Sequence, residues 1–321
     1  MKAKILISTT TFGTCGKQPL EFLEKENCEV IRNRFGRKMT PDEVIKLGKN
    51  CIGIVAGDES LNATVLESLS FLRCISRCGI GMDNVDLEKA KELGIGVRNT
   101  PDEPTRAVAE LTVGVIFDVL RNISYCDREI RKGNWNKEMG SLLLNKRVGI
   151  LGLGRIGRMV AELLLGLGAT VFGADVQPDT KWLATHKVSL LSFEDLVRES
   201  DIFCIHIPYS KDNRHIIGKK EIESMKRGAY LINLSRGGIV DEGALYQALK
   251  SNYMAGAALD VFEQEPYTGP LTELDKVILT PHIGSYAKES RLKMEVQAVR
   301  NLLEVCKKRS AIRFQQSAKK Q

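Results

Sequence analysis

Short runs rich in β-branched residues alternate with helix-like stretches along most of the chain. In the first hundred residues the runs 4–9 (KILIST), 28–33 (CEVIRN), 51–57 (CIGIVAG), 72–79 (LRCISRCG) and 96–100 (GVRNT) predict strands. Between them, PDEVIKLG opens on a proline and DLEKAKELG closes on a glycine, which are start and stop signals of helices. After Pro101 the stretch EPTRAVAELTVGVIFDVLRNISYCDREIRKG predicts one long helix. It is too apolar around its circumference to be fully solvated, so one face is expected to meet another domain or subunit. A second alternating set follows, with strands predicted near 146–152, 169–175, 201–208, 228–235, 254–260 and 276–282. A last long helix, SYAKESRLKMEVQAVRNLLEVCKK, is expected to pack back on the first part of the chain. Alternation of this kind marks βαβ units, and therefore an α/β protein built on parallel sheets.

Bulk composition narrows the picture without deciding it. A chain of 321 residues that is 43% hydrophobic and 27% charged can form two domains, each with its own core. No apolar run approaches the roughly 20 residues that span a bilayer, and the N-terminal "ILI" is too short for a signal peptide. A cytoplasmic protein with no membrane partner is expected. The net charge of +7 would favour a nucleic-acid partner if it were spread over a face. Residues 307–321 carry six basic residues and no acid, so the rest of the chain is only +1. The excess reads as a solvated tail, and no nucleic acid is expected as a partner. The eight cysteines are scattered without a metal or redox spacing, which predicts buried thiols and no metal site.

Gly152-Leu153-Gly154-Arg155-Ile156-Gly157 lies between a predicted strand and a predicted helix, and Asp175 ends the next strand 18 residues past Gly157. GxGxxG alone is weak, but this context gives it meaning. The glycines permit a tight turn and let a pyrophosphate approach backbone N–H groups at the positive end of a helix. Asp175 can accept hydrogen bonds from a ribose diol, while its charge would repel a 2′-phosphate, so NAD is expected rather than NADP. The six later strands then form a doubly wound dinucleotide-binding domain over residues 100–287. Residues 1–99 and 288–321 are expected to form the other domain, which is then discontinuous.

Ligands of open α/β sheets sit beyond the carboxyl ends of the strands. Four later strands end on His206, Arg236, Asp260 and His282, and Asp260 opens DVFEQEP, which adds Glu265. For His206 the bland reading is a satisfied core hydrogen bond. Hydride transfer at a hydroxyl-bearing carbon needs a base near neutrality, a carboxylate to orient it, and a cation for the substrate's carboxylate and developing carbonyl. His282, Glu265 and Arg236 match these roles, provided that the fold brings them together.

These residues resemble the D-2-hydroxyacid dehydrogenase family, most of all its phosphoglycerate dehydrogenase-like branch, over about residues 1–305. The resemblance is carried by CGIGMDNVDLEKAKELGI, NTPDEPTRAVAELTVG, GILGLGRIG, INLSRGGIVDEGAL, GAALDVFEQEP and LTPHIGS. It implies a Rossmann-type NAD-binding domain beside a flavodoxin-like substrate domain. It also implies a catalytic set of Arg236, Glu265 and His282, with His282 exchanging the proton of the 2-oxo oxygen. The substrate's carboxylate would be held by the N–H groups of Ile80 and Gly81, with Asn84 nearby. Arg155, Ile156 and Asp175 would hold NAD, with His206 and Pro208 also at the cofactor. Leu234, Ser235, Arg236, Asp260, His282, Ile283, Gly284 and Ser285 would line the nicotinamide side. A homodimer through the cofactor domain is implied, and would account for the apolar helix after Pro101.

Two departures from that pattern concern the substrate. Where phosphoglycerate dehydrogenases carry an Arg-Ser pair for the substrate phosphate, this chain has Asp58 and Glu59, and an asparagine before the long helix is replaced by Pro104. The two acids disfavour a phosphorylated substrate unless Arg37 or Lys38 compensates. The alternative within the same fold is an NAD-sensing regulator, similar to the C-terminal binding protein corepressors, in which the dinucleotide controls assembly rather than turnover.

Overall fold

The computed structural model describes residues 2–318, with side chains described through Cys306. The basic run 307–321, expected to be a solvated tail, therefore lies outside the residues whose side chains are described. The chain divides into two units, Met1–Pro104 with Ser285–Gln321, and Thr105–Gly284. Among the described residues no helix is long and apolar enough to cross a membrane.

The first unit begins with β1 (Ala3–Ile7), α1 (Gln18–Lys25), β2 (Cys28–Arg32), α2 (Pro41–Gly48), β3 (Gly53–Ala56), α3 (Ala63–Ser68), β4 (Cys74–Arg77), α4 (Leu87–Glu92) and β5 (Gly96–Arg98). Its five strands are parallel in the order β2-β1-β3-β4-β5, the flavodoxin-like arrangement. β3 is buried at every position because helices cover both faces of the sheet. Local chemistry sets where helices begin. At α2 the Thr40 hydroxyl accepts the Glu43 N–H while the Glu43 carboxylate accepts the Thr40 N–H, and Pro41 occupies the first turn, where no donor is needed.

The second unit runs through α5 (Thr105–Arg121), α6 (Ile123–Arg131), β6 (Arg147–Leu151), α7 (Arg155–Gly166), β7 (Thr170–Ala174), α8 (Thr180–Thr185), β8 (Val188–Leu190), α9 (Phe193–Glu199), β9 (Ile202–Ile205), α10 (Lys219–Ser224), β10 (Tyr230–Asn233), α11 (Glu242–Lys250), β11 (Gly256–Leu259) and β12 (Val277–Leu279). Its seven strands are all parallel, in the order β12-β11-β10-β9-β6-β7-β8, so the winding reverses between β6 and β9. This is the Rossmann-type doubly wound sheet.

Two elements differ from the expectation. β8 has only three residues, of which Val188 alone is buried, so it lacks an apolar pattern to read. The single helix expected after Pro101 is two helices. Asn122 adopts a left-handed conformation (φ 54°), and Asp118 accepts the N–H of Ser124, which starts a new direction. The cysteines also depart in part. All eight are thiols, but only Cys51, Cys74, Cys78 and Cys204 are buried.

The last helix, α12 (Lys288–Ala318), returns to the first unit. Met294, Ala298, Val299 and Leu302 are fully buried among Ile5, Ile7, Val55 and Cys74. Leu302 presses on Gly53, so closely that a β-carbon there would lie 2.9 Å from the leucine side chain. Leu302→Ala should therefore cost about 2–5 kcal/mol, read from urea unfolding, because the rigid strand beneath cannot fill the cavity.

Candidate active site

The glycine segment forms the turn from β6 into α7. Gly154 caps the helix, so the first N–H groups of α7 have no partner within the helix and face its N-terminal end. A β-carbon on Gly157 would overlap the carbonyl oxygen of Gly152, and only glycine lets the helix sit this close to the strand. A β-carbon on Gly154, by contrast, would meet nothing within 4 Å, so there is room beside the helix end. Arg155 is exposed, and Ile156 packs against the core. Asp175 follows β7, and its carboxylate accepts the N–H of Leu153 (2.6 Å) and of Gln177 (2.8 Å). An acid is thus held at the rim of the loop with lone pairs left for a ribose diol. These residues fit NAD: an anion-binding helix end, an open approach and a ribose acceptor.

His206 lies one residue beyond β9, and the Asn213 amide holds the following turn by donating to the Pro208 carbonyl (2.7 Å). The expectation of a satisfied core hydrogen bond at His206 is not met. Both ring nitrogens are cut off from solvent and have no hydrogen-bond partner among the described residues. Burial pushes the imidazole down to about 4, so the ring is neutral near pH 7. An unpartnered neutral ring at the carboxyl edge of β9, near the reversal of winding, has donor and acceptor capacity left for a ligand.

Arg236, Glu265 and His282 leave β10, β11 and β12, three neighbouring strands. Asn233 is buried and shapes the first loop. Its side-chain oxygen accepts from the N–H (3.1 Å) and hydroxyl (2.8 Å) of Ser235, while its amide donates to the Arg236 carbonyl (3.0 Å). Leu234 is buried beneath. The Arg236 guanidinium, half-buried, donates to the Ser235 carbonyl (2.7 Å). Gly237 then passes against the next loop, and a β-carbon there would overlap the Phe262 carbonyl. In that loop Glu265 accepts the Phe262 N–H through Oε1 (3.2 Å) and meets His282 Nδ1 through Oε2 (3.0 Å). Because an ionised carboxylate only accepts, Nδ1 carries the proton and Nε2 is the face left for chemistry.

His282 itself has φ 54°, a left-handed conformation uncommon for histidine, of the kind found where a site dictates the backbone. Asp260 supplies the constraint. It is 1% exposed and accepts from the Thr280 hydroxyl (2.6 Å), the Ile283 N–H (2.7 Å) and the Gly284 N–H (2.7 Å). Burial raises its pKa, and the three donors and His282 oppose the rise. Its oxygens are thus engaged in tying down the loop on both sides of His282. That role was not visible in the sequence.

In the first unit, Asn99 donates to the Ile80 carbonyl (2.7 Å), fixing the loop that contains Ile80 and Gly81. Asn84 is committed to the same region. Its amide donates to the carbonyls of Glu59 (2.6 Å) and Gly57 (3.3 Å), and its oxygen accepts from Arg77 (3.2 Å). Glu59 is turned inward, 1% exposed, accepting the Ser8 hydroxyl (2.5 Å) and the Gly57 N–H; burial raises its pKa. Arg37 does not compensate for these acids, since it holds Glu43 through two contacts of 2.7 and 2.9 Å. Ser285 belongs to this unit, whereas Ile283 and Gly284 belong to the other.

The buried imidazole gives a pH test. An unfolded histidine titrates near 6.5 while His206 titrates at about 4, so the unfolded chain binds the extra proton first. Stability contributed by the neutral ring is present above pH 6.5 and is lost as pH falls towards 4, by up to about 3 kcal/mol. Urea unfolding of His206→Leu should show a shallower acid-side slope than the parent; an identical slope would mean that the folded ring protonates normally.

Known proteins align with this arrangement. Residues 113–284 match the family model described as D-isomer specific 2-hydroxyacid dehydrogenase, NAD binding domain. A glyoxylate reductase of Thermofilum pendens is 40% identical over 260 residues, 78% of this chain and 76% of that one. A D-3-phosphoglycerate dehydrogenase of Methanocaldococcus jannaschii is 37% identical over 258 residues, 79% of this chain but 49% of that one. Among solved structures, the D-lactate dehydrogenase of Aquifex aeolicus, complexed with NAD and lactic acid, superposes with a TM-score of 0.83 at 27% identity and 95% coverage of both chains. A Rossmann-type sheet with a glycine turn and an acid after its second strand, together with these matches, places the chain in the D-isomer-specific 2-hydroxyacid dehydrogenase family, as an NAD-dependent oxidoreductase.

Proposed function

We propose that Arg236, Glu265 and His282 interconvert a small, unphosphorylated D-2-hydroxy acid and its 2-oxo acid. The observation that carries this reading is the 3.0 Å pair of His282 Nδ1 and Glu265, beside the loop that bears Arg236. NAD, when bound against Gly152, Gly154, Arg155, Ile156, Gly157 and Asp175, supplies or accepts the hydride at the substrate's second carbon. His206, Pro208, Leu234, Ser235, Asp260, Ile283, Gly284 and Ser285 complete its surroundings in this reading. Glu265 holds the imidazole so that Nε2 gives a proton to the 2-oxo oxygen in reduction and removes it in oxidation. Arg236 fixes the substrate carboxylate and stabilises charge on the reacting oxygen, work for which a permanently charged planar fork is suited. The Ile80 and Gly81 N–H groups are also assigned to the substrate's carboxylate in this reading, with Asn84 nearby.

The substrate class is inferred from the segment after β3. Asp58 stands exposed there, Glu59 is turned inward and Arg37 is committed to Glu43, so of these residues only an acid is presented to a ligand. The relative named glyoxylate reductase favours the same class. We also infer a cytoplasmic homodimer formed through the cofactor unit. Trp135, Met139, Leu142 and Leu144 follow α6 as exposed apolar side chains, which a second copy would cover.

With NADH as reductant, glyoxylate, pyruvate or hydroxypyruvate should be turned over well and 3-phosphohydroxypyruvate poorly; the reverse order would overturn the substrate class. Arg236→Ala should lower kcat/KM at least about 100-fold while NADH still binds, as measured by fluorescence titration. Near-parental turnover would remove Arg236 from the mechanism.

A further inference from the structure

A cluster of charges outside the catalytic set ties the site's loops together. Glu263 stands two residues before Glu265, on the same loop. Its carboxylate meets His215 Nε2 at 2.6 Å and Arg214 at 3.2 Å. Its backbone N–H donates to the carboxylate of Glu242 (2.8 Å), the first residue of α11, just after the Arg236 loop. His215 in turn donates its backbone N–H to the Gly238 carbonyl (2.8 Å), two residues past Arg236. The segment after β9 therefore grips the Arg236 loop by its backbone and the Glu265 loop by its side chains.

Two features indicate that this connection is specific. His215 has φ 53°, in the left-handed region that residues other than glycine adopt infrequently. The two gripped loops already touch, backbone to backbone, at Gly237 and Phe262. Beyond that backbone contact and the Glu263 N–H bond to Glu242, the charged side chains add a further tie between the segments. The Glu263 carboxylate is held by an imidazole and a guanidinium, one on each oxygen, which fixes its orientation as well as its position. His215 and Glu263 share 31% side-chain exposure, so their attraction is screened, and its use is geometric more than a source of stability.

We infer that Glu263 and His215, with Arg214, are positioning residues for the reaction: they hold the Glu265–His282 couple in register with Arg236. This rests on the roles proposed above for those three residues. Glu263 and His215 touch neither the substrate nor the reacting atoms in this scheme. They set the relation between a cation that fixes the substrate and an imidazole that must meet its oxygen. A misplacement of about 1 Å between such groups can cost up to about a hundredfold in rate.

The test compares Glu263→Ala, Glu263→Gln and His215→Asn in the intact chain, each with the best 2-oxo acid and NADH. Asparagine is chosen because it tolerates the left-handed backbone. Glu263→Ala should lower kcat by about ten- to a hundredfold with KM for both substrates within about twofold. NADH deuterated at the transferred hydrogen should then show a larger isotope effect than with the parent, because hydride transfer becomes rate-limiting. Glu263→Gln, which still accepts from His215, should restore most of the rate. His215→Asn should slow Glu263→Ala little further, since the two act through one contact. A kcat that falls only in proportion to folded protein, with an unchanged isotope effect and the parent's melting curve lost, would overturn the proposal, as would an unchanged kcat. If Arg236→Ala also remained active, the catalytic assignment itself would fail; if Arg236→Ala were inactive while Glu263→Ala was normal, only the positioning role would.

Discussion

Every functional group of the cofactor unit depends on one constraint: its seven strands run in the same direction. In a parallel sheet all carboxyl ends emerge on one edge, so residues far apart in sequence leave the core side by side. β10, β11 and β12 are consecutive neighbours, and their loops deliver Arg236, Glu265 and His282 to a common rim. The reversal of winding between β6 and β9 separates the helices there, and the glycine turn and His206 stand at that point. Contact between loops then refines what topology brings near. Gly237 lets one backbone rest on the Phe262 carbonyl, and the Glu265–His282 pair closes the distance to the last loop.

Charge in this site is handled in three ways, each set by the number of available partners. Asp260 is almost fully buried and receives three donors, which oppose its desolvation without cancelling it, so its pKa stays raised. His206 receives none among the described residues, and its buried ring stays neutral near pH 7. Arg236 has no neutral state to retreat to. It sits half-buried at a strand end, where its carbonyl partner and the rim relieve the cost of its charge. The glycines beside it serve the loop's close approach rather than the guanidinium itself. Glu59 in the first unit follows the pattern of Asp260, held by Ser8 and Gly57, so its charge faces the protein more than a ligand. The electrostatic case against a phosphate there consequently leans on Asp58 and on the commitment of Arg37 to Glu43.

Much was legible in the chain because periodicity and glycine report on local physics. Five strands in the first unit and six in the second stand out as short runs rich in β-branched and apolar residues between helix signals. The glycine segment, flanked by strand and helix, announces its own turn. What escaped was of two kinds. β8 is too short and too polar to show a pattern, and the break at Asn122 depends on a single left-handed residue inside an otherwise helical composition. The partners of Asp260, the solitude of His206 and the link from His215 to Glu263 join residues separated by 20 to 50 positions, and no local pattern encodes such meetings.

The sequence by itself determined the alternation of strands and helices, the glycine turn with the acid after the next strand, and the residue types able to move a proton and hold a carboxylate. Those follow from side-chain chemistry and spacing along one strand or one helix. Tertiary structure alone decided strand order, and with it which polar ends become neighbours. It also decided which carboxylates are consumed in holding loops and which, like Glu265, are left facing an imidazole. Proximity in a parallel sheet is set by the winding of the whole unit, and burial is a property of the surroundings rather than of the residue.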